Sequence, residues 1–200
     1  MIKQTFFYAV LLVSALASPL GAQEGLRGGA SMPPELDWTV DEPIVRAQIG
    51  AGMAKLRSGE TPGPSVLTPI VTWISNTLDF PAHYDLPRVE RTRIRLAAAL
   101  HGSQFVSQHV ILSNYDDTKQ TIYLSNEWNG DTPEGMSVLI HEMVHHLQNV
   151  AATRHECTQS REKLAHVAQE RWLAANGRSL EKDFGIDPLS YLVITECDIP

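Results

Sequence analysis

Three absences narrow the reading of this 200-residue chain before any motif is considered. No run of Lys and Arg interrupts a formal net charge of −7, which argues against nucleic acid as a partner. No internal repeat or low-complexity tract appears, so solenoid and array architectures drop out. Long apolar runs are missing too, apart from the N-terminus. There Lys3 is followed by an apolar stretch of about a dozen residues and then by small residues, too short to span a bilayer comfortably and laid out like a secretory signal peptide. Cleavage after Ala17 or after Ala22 both remain open. The expected organisation is a signal peptide over 1–22, an extended lead-in rich in Gly, Pro and acidic residues over 23–43, and a single domain over 44–200. The exported remainder, about 180 residues, is enough for one proper core and contains no stable membrane span. The expected address is secreted or periplasmic.

Cysteine is scarce as well, with only Cys157 and Cys197. In an oxidising compartment an even pair is most simply a disulfide, closing a loop of about 40 residues. The alternative, Cys157 as a metal ligand, leaves an unpaired thiolate outside the cytoplasm.

What is present in quantity is an apolar helix with polar residues at fixed intervals. Residues Ser137 to Gln148 contain His141-Glu142-Met143-Val144-His145, with Val138, Leu139, Ile140, Met143, Val144 and Leu147 making the segment apolar almost all round. Positions four apart lie one above the other on a helix, so His141 and His145 can offer two imidazole nitrogens to one point. That point suits Zn2+, and Glu142 at its rim can take a proton from water that the metal activates. Polar side chains inside a buried helix need partners, because an unpaired buried polar group costs about 1–3 kcal/mol. The bland alternative is a helix whose histidines bond neighbouring carbonyls.

Around this helix the pattern predicts helices over Glu42 to Leu56, interrupted by two glycines, and over Val66 to Leu78. Leu86 to Glu90 reads as a short edge strand and Arg91 to Leu100 as a helix, with Arg91, Arg93 and Arg95 on a solvated face. Gln104 to Leu112 and Gln120 to Ser125 form an expected hairpin around Ser113 to Thr118, with Ile122 and Leu124 on one side of the second strand and Tyr123 on the other. Asp131-Thr132-Pro133-Glu134 offers an N-cap oxygen at Asp131 and a first-turn proline, placing the central helix from about Pro133 to Val150. A further helix runs from about Cys157 to Ala175, and Pro188 to Ile194 is a short apolar piece. The fold class expected is α+β, mostly helical, with a small sheet preceding the central helix.

A catalytic zinc site commonly has three protein ligands, so a third must come from elsewhere. Residues after His145 lack the Gly and third His of the metzincin pattern, which excludes that class. Glu156, Glu162 and Glu170 are the candidates, with His155 and His166 as outsiders. Glu162, Ala165, Gln169 and Trp172 share one stripe, and the small Ala165 lets that helix approach closely, so Glu162 is preferred. Glu156 at the helix start suits a surface or capping role, Glu170 points away and can pair with solvent, and His166 suits either a bond to the ligand carboxylate or a plain core or surface place.

With His141-Glu142-x-x-His145 on one helix and Glu162-x-x-Ala165-His166 on the next, the chain resembles the gluzincin clan of zinc metallopeptidases, in particular small bacterial gluzincin-like proteins. The likeness covers about Gln104 to Trp172. A familiar form of the second motif has Asp where this chain has His166. The resemblance implies a zincin-like fold, Zn2+ held by His141, His145 and Glu162, Glu142 as general base, and a peptide or protein substrate lying along the strand Gln120 to Ser125 as a sheet edge. It leaves the oxyanion-stabilising residue among His155, Tyr123, Tyr191 and His166. A zinc-holding binding module without turnover is the alternative from another class, and hydrolysis of a non-peptide amide a third.

Overall fold

A computed structural model describes residues 42–56, 59–81, 84–92 and 113–197. The expected signal peptide, the lead-in up to residue 41, the expected strand Gln104 to Leu112 and most of the expected helix Arg91 to Leu100 lie outside the described residues.

Apolar periodicity sets the first two helices. Helix α1, Glu42–Met53, buries Val45, Ile49 and Met53 at intervals of four, and α2, Pro64–Leu78, buries Val66, Ile70, Trp73 and Ile74. The two glycines do not break α1. Gly52 faces the first turn of α2, where a Cβ would stand 3.3 Å from Val66 Cγ2, so the missing side chain permits the close approach.

The sheet differs from the expected hairpin. Strands β1 (Arg88–Thr92), β2 (Ser113–Asp116) and β3 (Thr121–Ser125) are ordered β1-β3-β2, with β1 parallel and β2 antiparallel to β3. Arg91 and Thr92, expected to open a helix, finish β1. Residues Ser113 to Asp116, expected as a turn, form the partner of β3 because the turn is tighter than the sequence suggests. Asp116 Oδ1 accepts from Thr118 N, Thr118 Oγ1 and Lys119 N, confining the reversal to residues 117–120. β3 is therefore the central strand, not the edge.

The solvated-face reading of Arg91 is also corrected. Its guanidinium donates to Ser125 O, Trp128 O and Glu60 O at 2.8–2.9 Å and lies 4.8 Å from the centre of the Trp128 ring. Arg91 thereby fastens the loop after β3 to β1.

That loop delivers the chain to α3, Pro133–Val150. Its N-cap is Thr132 rather than Asp131: Thr132 Oγ1 accepts from Gly135 N at 3.1 Å. Trp128 Nε1 donates to Gly135 O at 2.7 Å, and any Cβ at Gly135 would overlap the Asn129 carbonyl. Leu139, Ile140, Met143, Val144 and Leu147 are fully buried, in keeping with the all-round apolar pattern.

Helix α4, Thr158–Ala175, packs along α3, with Ala165 and Ala168 fully buried and Trp172 edge-on to Trp73 at 6.0 Å. Two short helices follow, α5 (Leu180–Phe184) and α6 (Pro188–Thr195), the latter covering the expected apolar tail piece. Cys157, the N-cap of α4, is disulfide-bonded to Cys197 just beyond α6, with Cα atoms 5.9 Å apart. Lys163 and Glu196 pair at 2.7 Å beside it. Among the described residues no helix is long and apolar enough to cross a membrane.

Candidate metal centre

One turn of α3 and one crossing of α4 assemble the site. His141 and His145 project from the same face of α3, their Nε2 atoms 3.1 Å apart, and Glu162 on α4 places Oε2 at 3.2 Å from the first and 3.3 Å from the second. In a tetrahedral zinc site with ligand distances of about 2.0–2.1 Å, neighbouring ligand atoms stand roughly 3.3 Å apart. Two imidazole nitrogens and a carboxylate oxygen at that spacing fit Zn2+ in both geometry and donor chemistry. His141, His145 and Glu162, chosen from the sequence, are thus brought together, with side-chain exposures of 13%, 9% and 32%.

Electrostatic coupling within the trio is strong. Burial pushes the Glu162 carboxyl up, but hydrogen bonds and charge from His141 and His145 outweigh it and hold the group well below the usual carboxylate range. His141 shows the reverse balance, where burial lowers the imidazole but the Glu162 hydrogen bond and charge raise it above its ordinary value.

Glu142 is buried beside them, and Ser113 Oγ donates to its Oε1 at 2.7 Å. The contact follows from registry between β2 and α3. Two residues of strand rise about 6.7 Å and four of helix about 6 Å, so Ser113 meets Glu142 while Tyr115 meets His146. Ser113 was not identified from the sequence, where it stood at the start of an expected turn.

His146 adjoins His145 in sequence but takes no part in the trio. Fully buried, it donates from Nε2 to Asp85 O at 2.7 Å and accepts at Nδ1 from the Tyr115 hydroxyl at 3.0 Å. Burial lowers its pKa and favours this neutral form. It locks α3 to the segment before β1.

The remaining candidates divide. His166 lies against the cluster, its ring 4.6 Å from that of His141, and its ligand atom falls within 4.8 Å of those of His141 and Glu162. Its Nδ1 faces Gln169 Oε1 at 3.2 Å, not the Glu162 carboxylate as expected. Burial, reinforced by the charge of His141, lowers it to about 3. Tyr191 of α6 stands edge-on to His166 with ring centres 6.2 Å apart. His155 lines a cavity at the junction of α3 and α4 with Asp117, Gln148, Asn149 and Arg161, and feels the charges of His145 and Glu162. Glu170, expected to face solvent, instead accepts from Leu180 N at 2.7 Å and holds the start of α5. Tyr123 faces Lys119. Glu156, exposed just before the α4 N-cap, is outside the trio; it keeps the surface place expected of it, and the cap is Cys157.

Two glutamines back the histidines. His141 Nδ1 is 3.2 Å from Gln169 Oε1, and His145 Nδ1 is 3.0 Å from Gln148 Oε1. Gln169 lay on the inward stripe read from the sequence; Gln148, at the end of the central helix, carried no such signal.

The described residues define a mixed α+β domain in which two 18-residue helices hold a His-His-Glu cluster, after a small three-stranded sheet. Residues 60–197 match the family described as Domain of unknown function (DUF6647), and the chain belongs to that family. The match spans every residue of the cluster together with Ser113, Gln148 and Gln169. Comparison with curated proteins and with solved structures found no match.

Proposed function

We propose that the protein is a zincin-like, zinc-dependent metallohydrolase of the secreted or periplasmic space, and that its reaction is the hydrolysis of peptide bonds. One observation carries the reading: His141 Nε2, His145 Nε2 and Glu162 Oε2 form a triangle of 3.1–3.3 Å with the buried carboxylate of Glu142 beside it. When bound, zinc supplies a Lewis acid that makes water a better proton donor and polarises a carbonyl. Glu142 takes the proton of the attacking water and returns it to the departing amine nitrogen as the C–N bond breaks. Ser113 occupies Oε1, which leaves Oε2 for that transfer. An extended peptide would lie along β2, whose Ser113 touches Glu142, since β3 has strand neighbours on both sides.

The test compares wild type with Glu142→Gln on a mixed peptide library after zinc loading. Wild-type cleavage with at least a hundredfold loss in the variant supports the proposal, a size consistent with general-base catalysis of about 10²–10⁴-fold. Equal cleavage by both would sink the base assignment.

A second reading, a zinc-holding module without turnover, draws on His166. A fourth protein ligand would close the coordination sphere, as in structural sites, and His166 stands within 4.8 Å of His141 and Glu162. Stable zinc content with no turnover on peptides or muropeptides, and turnover restored by His166→Ala, would favour it.

A further inference from the structure

We propose that Gln148 and Gln169 are the positioning residues of the metal centre: a reciprocal pair of amides, one on each helix, that aim the Nε2 lone pairs of His145 and His141 and set the spacing between the α3 and α4 ligands. The inference rests on the metal-centre reading above.

The orientation of each amide is dictated by an anchor that can only accept. Gln148 Nε2 lies 2.9 Å from the backbone carbonyl of Arg161, so the NH2 end must face it and Oε1 must face His145 Nδ1. An amide oxygen cannot donate. His145 therefore carries a proton on Nδ1, which in the neutral ring leaves Nε2 as the bare lone pair.

The second chain is one link longer. The Ser137 hydroxyl gives its single proton to Glu134 O at 2.7 Å, so from Gln169, 3.3 Å away, it can only accept. That requires the Gln169 NH2 at Ser137 and Oε1 at His141 Nδ1, which fixes His141 as the same tautomer. The same oxygen receives His166 Nδ1 at 3.2 Å.

With both rings neutral, two lone pairs and a carboxylate oxygen are held within 3.3 Å of one another, an arrangement that repels itself unless a proton or a metal cation sits among them. The chains also cross between helices. Gln148 on α3 grips the α4 backbone one residue before Glu162, and Gln169 on α4 grips His141 and Ser137 on α3. Both acceptors are neutral, so the only anionic charge in the trio comes from Glu162.

Competition titration with a chromophoric chelator measures zinc affinity in wild type, Gln169→Met, Gln169→Glu and Gln148→Glu, with circular dichroism verifying the fold. Nitrogen NMR reads the histidine tautomers in the metal-free wild type at alkaline pH. Gln169→Met weakens zinc binding by about 10–100-fold, whereas Gln169→Glu keeps it within about threefold, because a carboxylate still accepts from both rings and Ser137 can turn its hydroxyl to donate. Gln148→Glu weakens binding, since its second oxygen would meet the Arg161 carbonyl. Both His141 and His145 carry the proton on Nδ1. Equal affinity in Gln169→Met and wild type, or Nε2 protonation of either ring, overturns the proposal. A wild type that takes up no zinc overturns the metal-centre reading instead, and the tautomers still judge the amides separately.

Discussion

Replacing Glu162 with Gln changes almost no volume and removes one negative charge, which isolates its proposed role as a ligand. Structural zinc sites bind with about 10–16 kcal/mol shared over four ligands, or roughly 2.5–4 kcal/mol each. At 1.4 kcal/mol per decade that is about 100- to 1000-fold in affinity, and the amide oxygen left in place, a weaker ligand, puts the expected loss near 100-fold. The geometry supports the lower figure, because Oε2 reaches both histidine nitrogens at 3.2–3.3 Å without displacing the helices and an amide can occupy the same place. The assay is a chelator competition titration of wild type and Glu162→Gln, with zinc-edge anomalous scattering from crystals of the wild type to locate the ion. Affinity unchanged within about threefold, with native circular dichroism, would refute the assignment of the third ligand and with it the argument from the inward stripe on α4.

Four further outcomes follow from contacts outside the proposed ligand trio. Gly135→Ala should lower stability by about 3 kcal/mol or more in urea unfolding, since its Cβ would overlap the Asn129 carbonyl beneath the Trp128 hydrogen bond; a loss under about 1 kcal/mol contradicts this packing. The double variant Cys157→Ala with Cys197→Ala opens a link across a sequence separation of 40 and should lose about 4 kcal/mol by the chain-entropy estimate, seen as a lower urea midpoint. Tyr115→Phe leaves His146 Nδ1 and Asn149 Nδ2 short of a partner and should cost about 1–3 kcal/mol while leaving zinc affinity intact, a split that separates the structural His146 from His145, the ligand proposed beside it. Asp116 is held well below its ordinary carboxylate range chiefly by the Thr118 and Lys119 hydrogen bonds, so its stabilisation is present above about pH 4 and is lost as pH falls toward the depressed folded value. Asp116→Asn should therefore be less stable near neutrality and show a shallower fall in urea midpoint from about pH 5 to pH 2; parallel curves would contradict the sign.

How much of this was legible in advance depends on the range of each signal. Helix α3 runs from Pro133 to Val150 as read, because apolar periodicity and a first-turn proline are local properties. Its cap was misplaced by one residue, since Asp131 and Thr132 both carry suitable oxygens and only the path of the incoming loop chooses between them. The reading of Ser113 to Thr118 as a turn failed because Asp116 tightens the reversal through its own hydrogen bonds, which freed four residues to pair with β3. Arg91 looked solvated because its partners, the carbonyls of Ser125, Trp128 and Glu60, lie more than thirty residues away.

By itself the sequence determined the spacing of His141, Glu142 and His145 on one helical face, the buried character of that helix, the inward stripe that holds Glu162, and the pairing of two cysteines. These follow from the 3.6-residue repeat and from counting, and need no knowledge of neighbours. Only the tertiary structure decided that Glu162 closes on both histidines, that Ser113 holds Glu142, that His146 turns to Asp85 and Tyr115, and that Gln148 and Gln169 face the rings of His145 and His141. Except for Gln148 and His145, which share a turn of α3, each such contact joins residues 17 or more positions apart, where the outcome depends on how β2 and α4 settle against α3 rather than on any pattern within one element.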